Sequence, residues 1–275
     1  MNVAIIGLGL MGGSLGRALC KYTDHTVWGR NRTRSVETQA VLMGAIHKPL
    51  AEEDLSAIDM LVVCLNPQAT LDALAQYAPK LKPGAILTDI AGEKRHVTAE
   101  MRTLAEAYPQ LRFVATHPMA GREFSGFRYA VASLFQKASV LIVPVSQDLG
   151  CLAAVKKLWQ DVGATVLVTD APTHDAVIAY TSQLPHLISS AYIKNDTAAK
   201  EKGYSAGSFR DLSRVAHMNT AMWTELMLLN RDALCDELGQ FIGNITAYYN
   251  ALSAADAAAL TALIEGGNLA KDQIK

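Results

Sequence analysis

The chain lacks the features that mark membrane, secreted and nucleic-acid-binding proteins. No apolar run reaches the roughly twenty residues that a membrane-spanning helix requires. Its 25 lysines and arginines stand against 26 acidic residues, so no excess of positive charge is available to neutralise phosphates or anionic lipid. These absences exclude nucleic acid and membranes as expected partners and leave small molecules or a second copy of the chain.

Cysteine is also scarce. The four cysteines form no C-x-x-C pair, and three of them have the apolar surroundings of buried strands or helices; they are Cys20, Cys64, Cys151 and Cys235. The first residues already have the pattern of a strand that enters a glycine turn, which leaves no room for a signal peptide. We therefore expect a reduced, cytoplasmic protein that binds no metal.

What the sequence does contain, in its first 170 residues or so, is a regular alternation of strand and helix patterns. Short β-branched runs predict strands at Asn2–Ile6, His25–Trp28, Met60–Leu65, Ala85–Ile90, Phe113–Ala115, Val140–Val145 and Thr165–Thr169. Apolar positions at helical spacing predict helices at Gly12–Tyr22, Ser35–Leu42, Gln68–Leu81, Val97–Ala107 and Leu149–Val162. This alternation predicts a Rossmann-type, doubly wound parallel sheet.

Strand patterns stop after Ala171, and the rest of the chain has helical spacing. We expect a nucleotide-binding domain over residues 1–170 and an all-α substrate and dimerisation domain over residues 171–275. Helices that are apolar on more than one face need another surface to cover them, which favours a homodimer through these helices. The alternative is that a single chain covers both faces itself.

A glycine-rich motif directly follows the first predicted strand. It is a G-x-G-x-x-G made of Gly7, Leu8, Gly9, Leu10, Met11 and Gly12. In this setting the first glycine permits a tight turn, the second lets the backbone approach a pyrophosphate, and the third lets the helix pack closely on the strand. Because the phosphates would meet the free N–H groups of a helix N-terminus, the motif predicts a dinucleotide cofactor.

The second predicted strand leads into a loop that contains Arg30, Asn31, Arg32 and Thr33. NAD-binding domains place an acidic residue here to bind the ribose 2′-OH, and this loop has none. Arginine and hydroxyl donors suit a 2′-phosphate, so we predict NADP, with NAD left open. The alternative is that the arginines only solvate the loop. Leu65 and Asn66, at the end of the third predicted strand, complete the predicted cofactor site.

One histidine stands out as a candidate for catalysis. His117 follows an apolar strand and precedes Pro118, at the carboxyl end of the sheet where open α/β folds hold their ligands. A neutral imidazole there can take the proton of an alcohol that is being oxidised. A lone histidine is more often structural than catalytic, but this setting favours a catalytic role.

Three ordered motifs resemble the prephenate/arogenate dehydrogenase family: H-P-M-A-G (117–121), S-x-L-P-H (182–186) and S-F-R-D-L-S-R (208–214). The similarity spans nearly the whole chain. It implies the oxidative decarboxylation of a cyclohexadienyl substrate in tyrosine biosynthesis, with hydride transfer to the nicotinamide. Whether prephenate or arogenate is used stays open.

The resemblance also implies roles for individual residues. His117 matches the catalytic histidine that accepts the proton of the C4 hydroxyl. Arg214 matches the arginine that holds the ring carboxylate, and Arg210 assists it or lies nearby on the surface. His186 aligns with a histidine near the substrate side chain, and Glu123 with an acidic residue at the mouth of the site. For these last two, a structural role is the alternative.

The sequence departs from the family pattern at two positions. Gly92 stands where relatives commonly have a serine that supports the catalytic histidine. Gln183, which we include in the predicted substrate site, stands where many relatives have a histidine. Thr116, Ser125 or a water are candidates for the missing hydroxyl beside His117.

Two other readings of the sequence compete with this one. β-Hydroxyacid dehydrogenases and imine reductases share an NADP-binding domain and a helical domain. They typically carry a lysine or aspartate with a glycine-rich motif on the first interdomain helix, whereas this chain has S-Q-L-P-H (182–186) there, which disfavours them. The second alternative is a redox sensor that binds NADP without catalysis. Gly92 and Gln183 favour it, because each lacks a side chain that relatives use in the site. The presence of His117 and Arg214 argues against the sensor.

Overall fold

The computed structural model describes residues 1–122 and 124–274. Within them lies one eight-stranded sheet, formed by β1 (Asn2–Ile6), β2 (Thr26–Arg30), β3 (Lys48–Pro49), β4 (Met60–Val63), β5 (Ile86–Asp89), β6 (Arg112–Pro118), β7 (Ser139–Pro144) and β8 (Thr165–Val168). Across the sheet the order is β3-β2-β1-β4-β5-β6-β7-β8. The direction of winding therefore changes between β1 and β4, which is where open α/β sheets bind ligands.

The described residues form eleven α-helices. Five are associated with the sheet: α1 (Leu10–Tyr22), α2 (Arg34–Leu42), α3 (Pro67–Tyr77), α4 (Arg95–Ala107) and α5 (Leu149–Asp161). Six follow it: α6 (Ala171–Ile178), α7 (Leu184–Tyr192), α8 (Gly207–Ser213), α9 (Thr220–Leu229), α10 (Arg231–Ser253) and α11 (Ala257–Asp272). None of the described helices is both long enough and apolar enough to cross a membrane.

Helices cover the sheet on both faces because successive strand residues point to opposite sides. Val3 and Ile5 of β1 pack in a core with α1, α2 and α5. Ala4 and Ile6 of the same strand pack in a second core with α3 and α4. The predicted Rossmann-type, doubly wound sheet followed by helices is confirmed.

The sheet differs from the all-parallel prediction at β7, which runs antiparallel to β6. A parallel return requires a crossover of a dozen or more residues, usually a helix. The described part of the chain between Pro118 and Ser139 contains only a single 3₁₀ turn, at Phe127–Tyr129. Without a crossover helix the chain turns back on itself, and β8 then pairs parallel to β7.

Two smaller differences have local causes. The two-residue strand β3 contains Pro49 and is too short to show any periodicity. The predicted helix 68–81 ends as an α-helix at Tyr77 and continues as a 3₁₀ turn, Ala78–Lys80. Pro79 lies in this turn, and proline has no N–H with which to continue an α-helix.

Helix α6 passes directly into α7 through a single widened turn, the π-helix Ala179–Gln183. Pro185, in the first turn of α7, supplies no backbone N–H. Widened turns of this kind are frequent at functional sites because they change the direction in which side chains point. The turn precedes His186, one of the predicted substrate contacts.

Candidate active site

The glycine motif adopts the geometry that its spacing predicts. Gly7 has a φ of +94°, and a Cβ on it would lie 2.5 Å from the carbonyl oxygen of Cys64. A Cβ on Gly12 would lie 2.0 Å from the carbonyl oxygen of Gly7. Neither contact is possible, so both positions require glycine for the turn and for the packing of α1 on the sheet.

The N-terminus of α1 meets the requirements of a phosphate site. Gly9 precedes the first turn, and no side chain of the described residues caps it. A Cβ on Gly9 would meet no described atom within 4 Å, so the backbone borders open space. Free N–H groups and the positive end of the helix dipole therefore face a space that a pyrophosphate can occupy.

The loop after β2 is tied to the glycine motif by a side chain. The Oδ1 of Asn31 accepts a hydrogen bond from the N–H of Leu8 at 3.1 Å. The Asn31 N–H in turn donates to the carboxylate of Glu37 at 2.8 Å. Arg30 is held by the Leu50 carbonyl oxygen at 3.1 Å and lies 3.9 Å from Glu37. These bonds link the predicted pyrophosphate and ribose sites.

The other predicted cofactor residues border the same region. Arg32 and Thr33 are exposed in the loop. Leu65 follows β4, and its Cδ2 lies 2.6 Å from where a Cβ on Gly7 would be. Asn66 is exposed immediately before α3, and its side chain does not cap that helix.

His117 lies near the carboxyl end of β6 and begins a chain of hydrogen bonds. Its Nδ1 is 2.9 Å from Nε2 of His174 on α6. The Nδ1 of His174 is 2.7 Å from Oδ1 of Asp175. His174 and Asp175 are both buried. These hydrogen bonds therefore connect His117, the predicted catalytic histidine of the sheet, to the carboxylate of Asp175 in the helical half.

The environment of His117 favours its neutral form. Burial is the largest cause that lowers the pKa of His117 well below 6.5, and the neighbouring His174 and Lys94 lower it further. Burial also lowers the pKa of His174. A neutral imidazole is the form that can accept a proton.

The Nε2 of His117 faces Gly92. A Cβ on Gly92 would lie 3.6 Å from that nitrogen and 3.3 Å from Cδ2 of Leu226 on α9. The place of the family's serine is therefore bordered by a leucine side chain. Thr116, one of the candidates for the missing hydroxyl, donates its Oγ1–H to the carbonyl oxygen of Asp89. Ser125 is exposed.

A buried ion pair lies beside the strand residue that precedes His117. The Nζ of Lys94 is 2.5 Å from Oδ2 of Asp89, and both side chains are fully buried. The same carboxylate accepts the N–H of Ala91 at 2.7 Å and that of Thr116 at 3.1 Å. The pair thus fixes the loop that contains Gly92 against the strand that contains His117.

A second carboxyl group adjoins Asp175. The pKa of Glu93 is raised from 4.5 to about 7; burial is the largest cause, and the charge of Asp175 and its hydrogen bond to Glu93 contribute, against a lowering by the N–H of His96. Burial raises the pKa of Asp175 too, but hydrogen bonds from His174 and from the backbone of Arg95 and Lys94 outweigh it and lower that pKa. Of the two acids, Glu93 therefore has the raised pKa and Asp175 the lowered one, so Glu93 takes up a proton before Asp175 does.

Gln183 is buried and uses both ends of its amide within the protein. Its Oε1 accepts from Nδ2 of Asn230 at 2.9 Å, and its Nε2 lies 3.5 Å from the Leu226 carbonyl oxygen. The Nδ2 of Asn230 also donates to the carbonyl oxygen of Asp175 at 2.8 Å. A direct contact of Gln183 with substrate stays a prediction, and these bonds give it a role in packing α9 and α10 against α6.

His186 lies at the end of the widened turn, beside an aromatic ring. Its Nδ1 donates to the Ser182 carbonyl oxygen at 2.8 Å, and its ring centroid is 4.0 Å from that of Trp223. Burial is the largest cause that lowers its pKa, and Arg214 contributes. Arg214 directly follows α8 and is exposed. Arg210, one turn earlier on α8, is exposed.

Glu123, the remaining predicted substrate contact, lies outside the described residues.

Two family models match this sequence. The model for the prephenate dehydrogenase nucleotide-binding domain matches residues 15–168. The model for the prephenate dehydrogenase dimerization domain matches residues 170–265. The chain belongs to the prephenate dehydrogenase family.

Individual relatives in this family cover nearly the full chain. The cyclohexadienyl dehydrogenase of Zymomonas mobilis is 32% identical over 270 residues, which are 93% of this chain and 89% of that protein. Synechocystis arogenate dehydrogenase superimposes with a TM-score of 0.83 at 25% identity and 100% coverage of both chains. The prephenate dehydrogenase of A. aeolicus, in complex with hydroxyphenyl propionate and NAD+, gives a TM-score of 0.87 at 23% identity, covering 100% and 98%.

In this member of the prephenate dehydrogenase family, sequence reasoning did not find the partners of His117. His174 and Asp175 are more than fifty residues away along the chain, and a His-Asp pair on an amphipathic helix carries no motif of its own. Glu93 and Lys94 followed Gly92 directly but were not assigned a role.

Proposed function

We propose that this protein catalyses the oxidative decarboxylation of prephenate, arogenate or both, with hydride transfer to a nicotinamide dinucleotide. The observation that carries the proposal is His117. It is held neutral near the end of β6, one nitrogen is occupied by His174, and the other faces Gly92. Membership of the prephenate dehydrogenase family supports the choice of substrates.

In the proposed reaction, Nε2 of His117 accepts the proton of the C4 hydroxyl as hydride leaves C4. When bound, the nicotinamide supplies the acceptor for that hydride. The ring carboxylate departs as CO2, its bonding electrons enter the ring, and the ring becomes aromatic. Arg214 holds the carboxylate in a bidentate fork and so orients C4, with Arg210 beside it on α8. His186 contacts the substrate side chain, and the role of Glu123 stays a prediction from the sequence.

We propose NADP as the preferred cofactor. The loop of Arg30, Arg32 and Thr33 offers cationic and hydroxyl donors, and the nearest carboxylate, Glu37, already accepts from the backbone of Asn31. Substitution of Arg32 by serine should raise the KM for NADP about tenfold and leave the KM for NAD unchanged, since only NADP has the 2′-phosphate. An equal effect on both cofactors would contradict the preference. The NAD+ bound to the A. aeolicus enzyme makes NAD the alternative.

We also propose a division of labour between two domains. Residues 1–170 bind the cofactor, and residues 171–275 complete the substrate site and pair with a second copy in a homodimer. The dimerization-domain match and the exposed apolar side chains of α10 and α11 support this. The free cysteines and the biosynthetic reaction favour the cytoplasm.

The experiment that tests the function measures NADPH and CO2 formation from prephenate and from arogenate separately. One equivalent of each product per substrate consumed is expected with at least one of the two compounds, and the faster one identifies the preferred substrate. Tight NADPH binding without turnover of either compound would contradict the proposal and favour the sensor.

A further inference from the structure

Hydrogen bonds link His117, His174 and Asp175 in a row, and the two residues on α6 are buried. The two links measure 2.9 Å and 2.7 Å, and the His174 side chain touches both neighbours through different ring nitrogens. His174 is 2% exposed and Asp175 is fully buried. Water is therefore excluded as the usual partner of these groups.

The direction of each hydrogen bond follows from Asp175. Its Oδ1 accepts the N–H of Lys94 at 2.8 Å, and its Oδ2 accepts the N–H and the Nε–H of Arg95 at 2.8 Å and 3.2 Å. A carboxylate among such donors can only accept. The Nδ1 of His174 must then donate to it, which leaves Nε2 of a neutral His174 as an acceptor.

The next link follows in the same way. Because Nε2 of His174 accepts, the Nδ1 of His117 must carry the hydrogen. Neutral His117 then has its lone pair on Nε2, which is the nitrogen that faces Gly92. We propose that His174 and Asp175 are positioning residues, which hold His117 in the tautomer and orientation whose Nε2 is the free base.

The same arrangement accommodates the charge that proton transfer creates. The charged and titratable groups around these three side chains are Lys94 and Glu93 before α4, Arg95 at its start, and Asp89 on β5. Asp175 raises the pKa of both imidazoles, and Asp89, although paired with Lys94, also raises that of His174. A cation formed on His117 is thus stabilised through His174.

Two variants of His174 and one of Ile178, on the same helix, test the positioning role. His174→Leu removes the acceptor, whereas His174→Gln places an amide oxygen close to the position of Nε2. Ile178→Val shortens a buried side chain on the same helix without touching His117, and serves as the matched structural control. Asp175 is less suitable because it also holds the backbone of Lys94 and Arg95.

This proposal rests on the proposed function only for its kinetic test. In H174L we expect kcat to fall roughly tenfold to a hundredfold with a nearly unchanged KM, since orientation of the base affects the chemical step. H174Q should recover most of that loss. I178V should behave as wild type.

A second measurement does not depend on activity. The ¹⁵N spectrum of labelled free protein at neutral pH, assigned by comparison with H117N, should show the hydrogen of His117 on Nδ1. In H174L that preference should disappear, and in H174Q it should persist.

The proposal is overturned if wild-type His117 carries its hydrogen on Nε2, or if H174L keeps both the Nδ1–H tautomer and the kcat of I178V. A loss in H174L that appears only in KM, or that glutamine does not reduce, would also overturn it. If the wild type turns over neither substrate, the proposed function fails, and the ¹⁵N result alone decides the positioning role.

Discussion

The two halves of the molecule differ in how completely they bury their apolar side chains. The sheet carries a core on each face, built from six of the described strands and the five helices associated with the sheet. The helical half has one small core around Ala179, Leu184 and Leu234. On α10 the residues Ile242, Ile245, Tyr249 and Leu252 lie on one stripe at helical spacing and are 51–68% exposed. The sheet half thus buries most of its apolar side chains within one chain, and the exposed stripe of α10 favours the further covering surface that we propose for the helical half.

The largest effect expected in the sheet half comes from its buried ion pair. Lys94→Met leaves Asp89 charged and unpaired in the core, which should lower the free energy of unfolding by about 3–5 kcal/mol. Lys48→Met, which breaks the partly exposed pair with Asp54, should cost about 1 kcal/mol or less. Urea denaturation measures both. Equal losses would show that the sheet half does not depend on the pair.

A pair of glycine variants separates folding from cofactor binding in the same half. Gly12→Ala forces a Cβ against the Gly7 carbonyl oxygen, and such overpacking should cost about 1–3 kcal/mol or more. Gly9→Ala meets no described atom, so stability should stay within about 0.5 kcal/mol while NADPH affinity falls, because the Cβ enters the phosphate space. Thermal unfolding and NADPH fluorescence titration test this. Unchanged NADPH affinity in G9A would place the phosphates elsewhere.

The junction between the halves should respond to pH through Glu93. Its pKa rises from 4.5 to about 7 on folding. The protonated acid therefore stabilises the fold at low pH, and this contribution is lost as the pH rises through about 7. Glu93→Gln mimics the protonated acid. The variant should match wild type near pH 5 and exceed it near pH 8 by up to about 3 kcal/mol. Parallel stability curves for the two proteins would contradict the assignment of the proton.

The smallest expected effect is on self-association, which tests whether the exposed stripe of α10 is an interface. Ile245→Glu places a charge on the exposed α10 stripe, and Leu149→Glu does so at a side chain of the sheet half that is 81% exposed. We expect the first to weaken self-association about tenfold, in keeping with one apolar interface side chain, and the second to have no effect. Sedimentation across a concentration series measures this. A monomeric wild type, or equal behaviour of the two variants, would show that the helical half is complete alone.

Local patterns predicted much of this structure. Strand and helix periods placed nearly all the sheet elements within a few residues, and the glycine motif identified the turn between β1 and α1. The direction of β7 was missed because it depends on the absence of a helix between Pro118 and Ser139, which a strand pattern does not reveal. The two-residue β3 gave no period to detect.

The candidate site was predictable only where a single segment carries the signal. His117 stands out by its place after a strand, and Arg214 by a motif. His174 and Asp175 are adjacent on α6, but they meet His117 of β6 and Asn230, between α9 and α10, only after folding, so no spacing in the sequence indicates these contacts. Gln183 shows the same limit, because its partners on α9 and α10 become visible only in three dimensions.

We propose His117 as the base of a cyclohexadienyl dehydrogenase reaction. Its role is decided by the rate of NADPH formation from the preferred substrate for wild type and for His117→Asn, with NADPH binding measured on both. We predict that the variant binds NADPH as wild type does and loses kcat by about a hundredfold or more. A variant with wild-type kcat would contradict the assignment of His117.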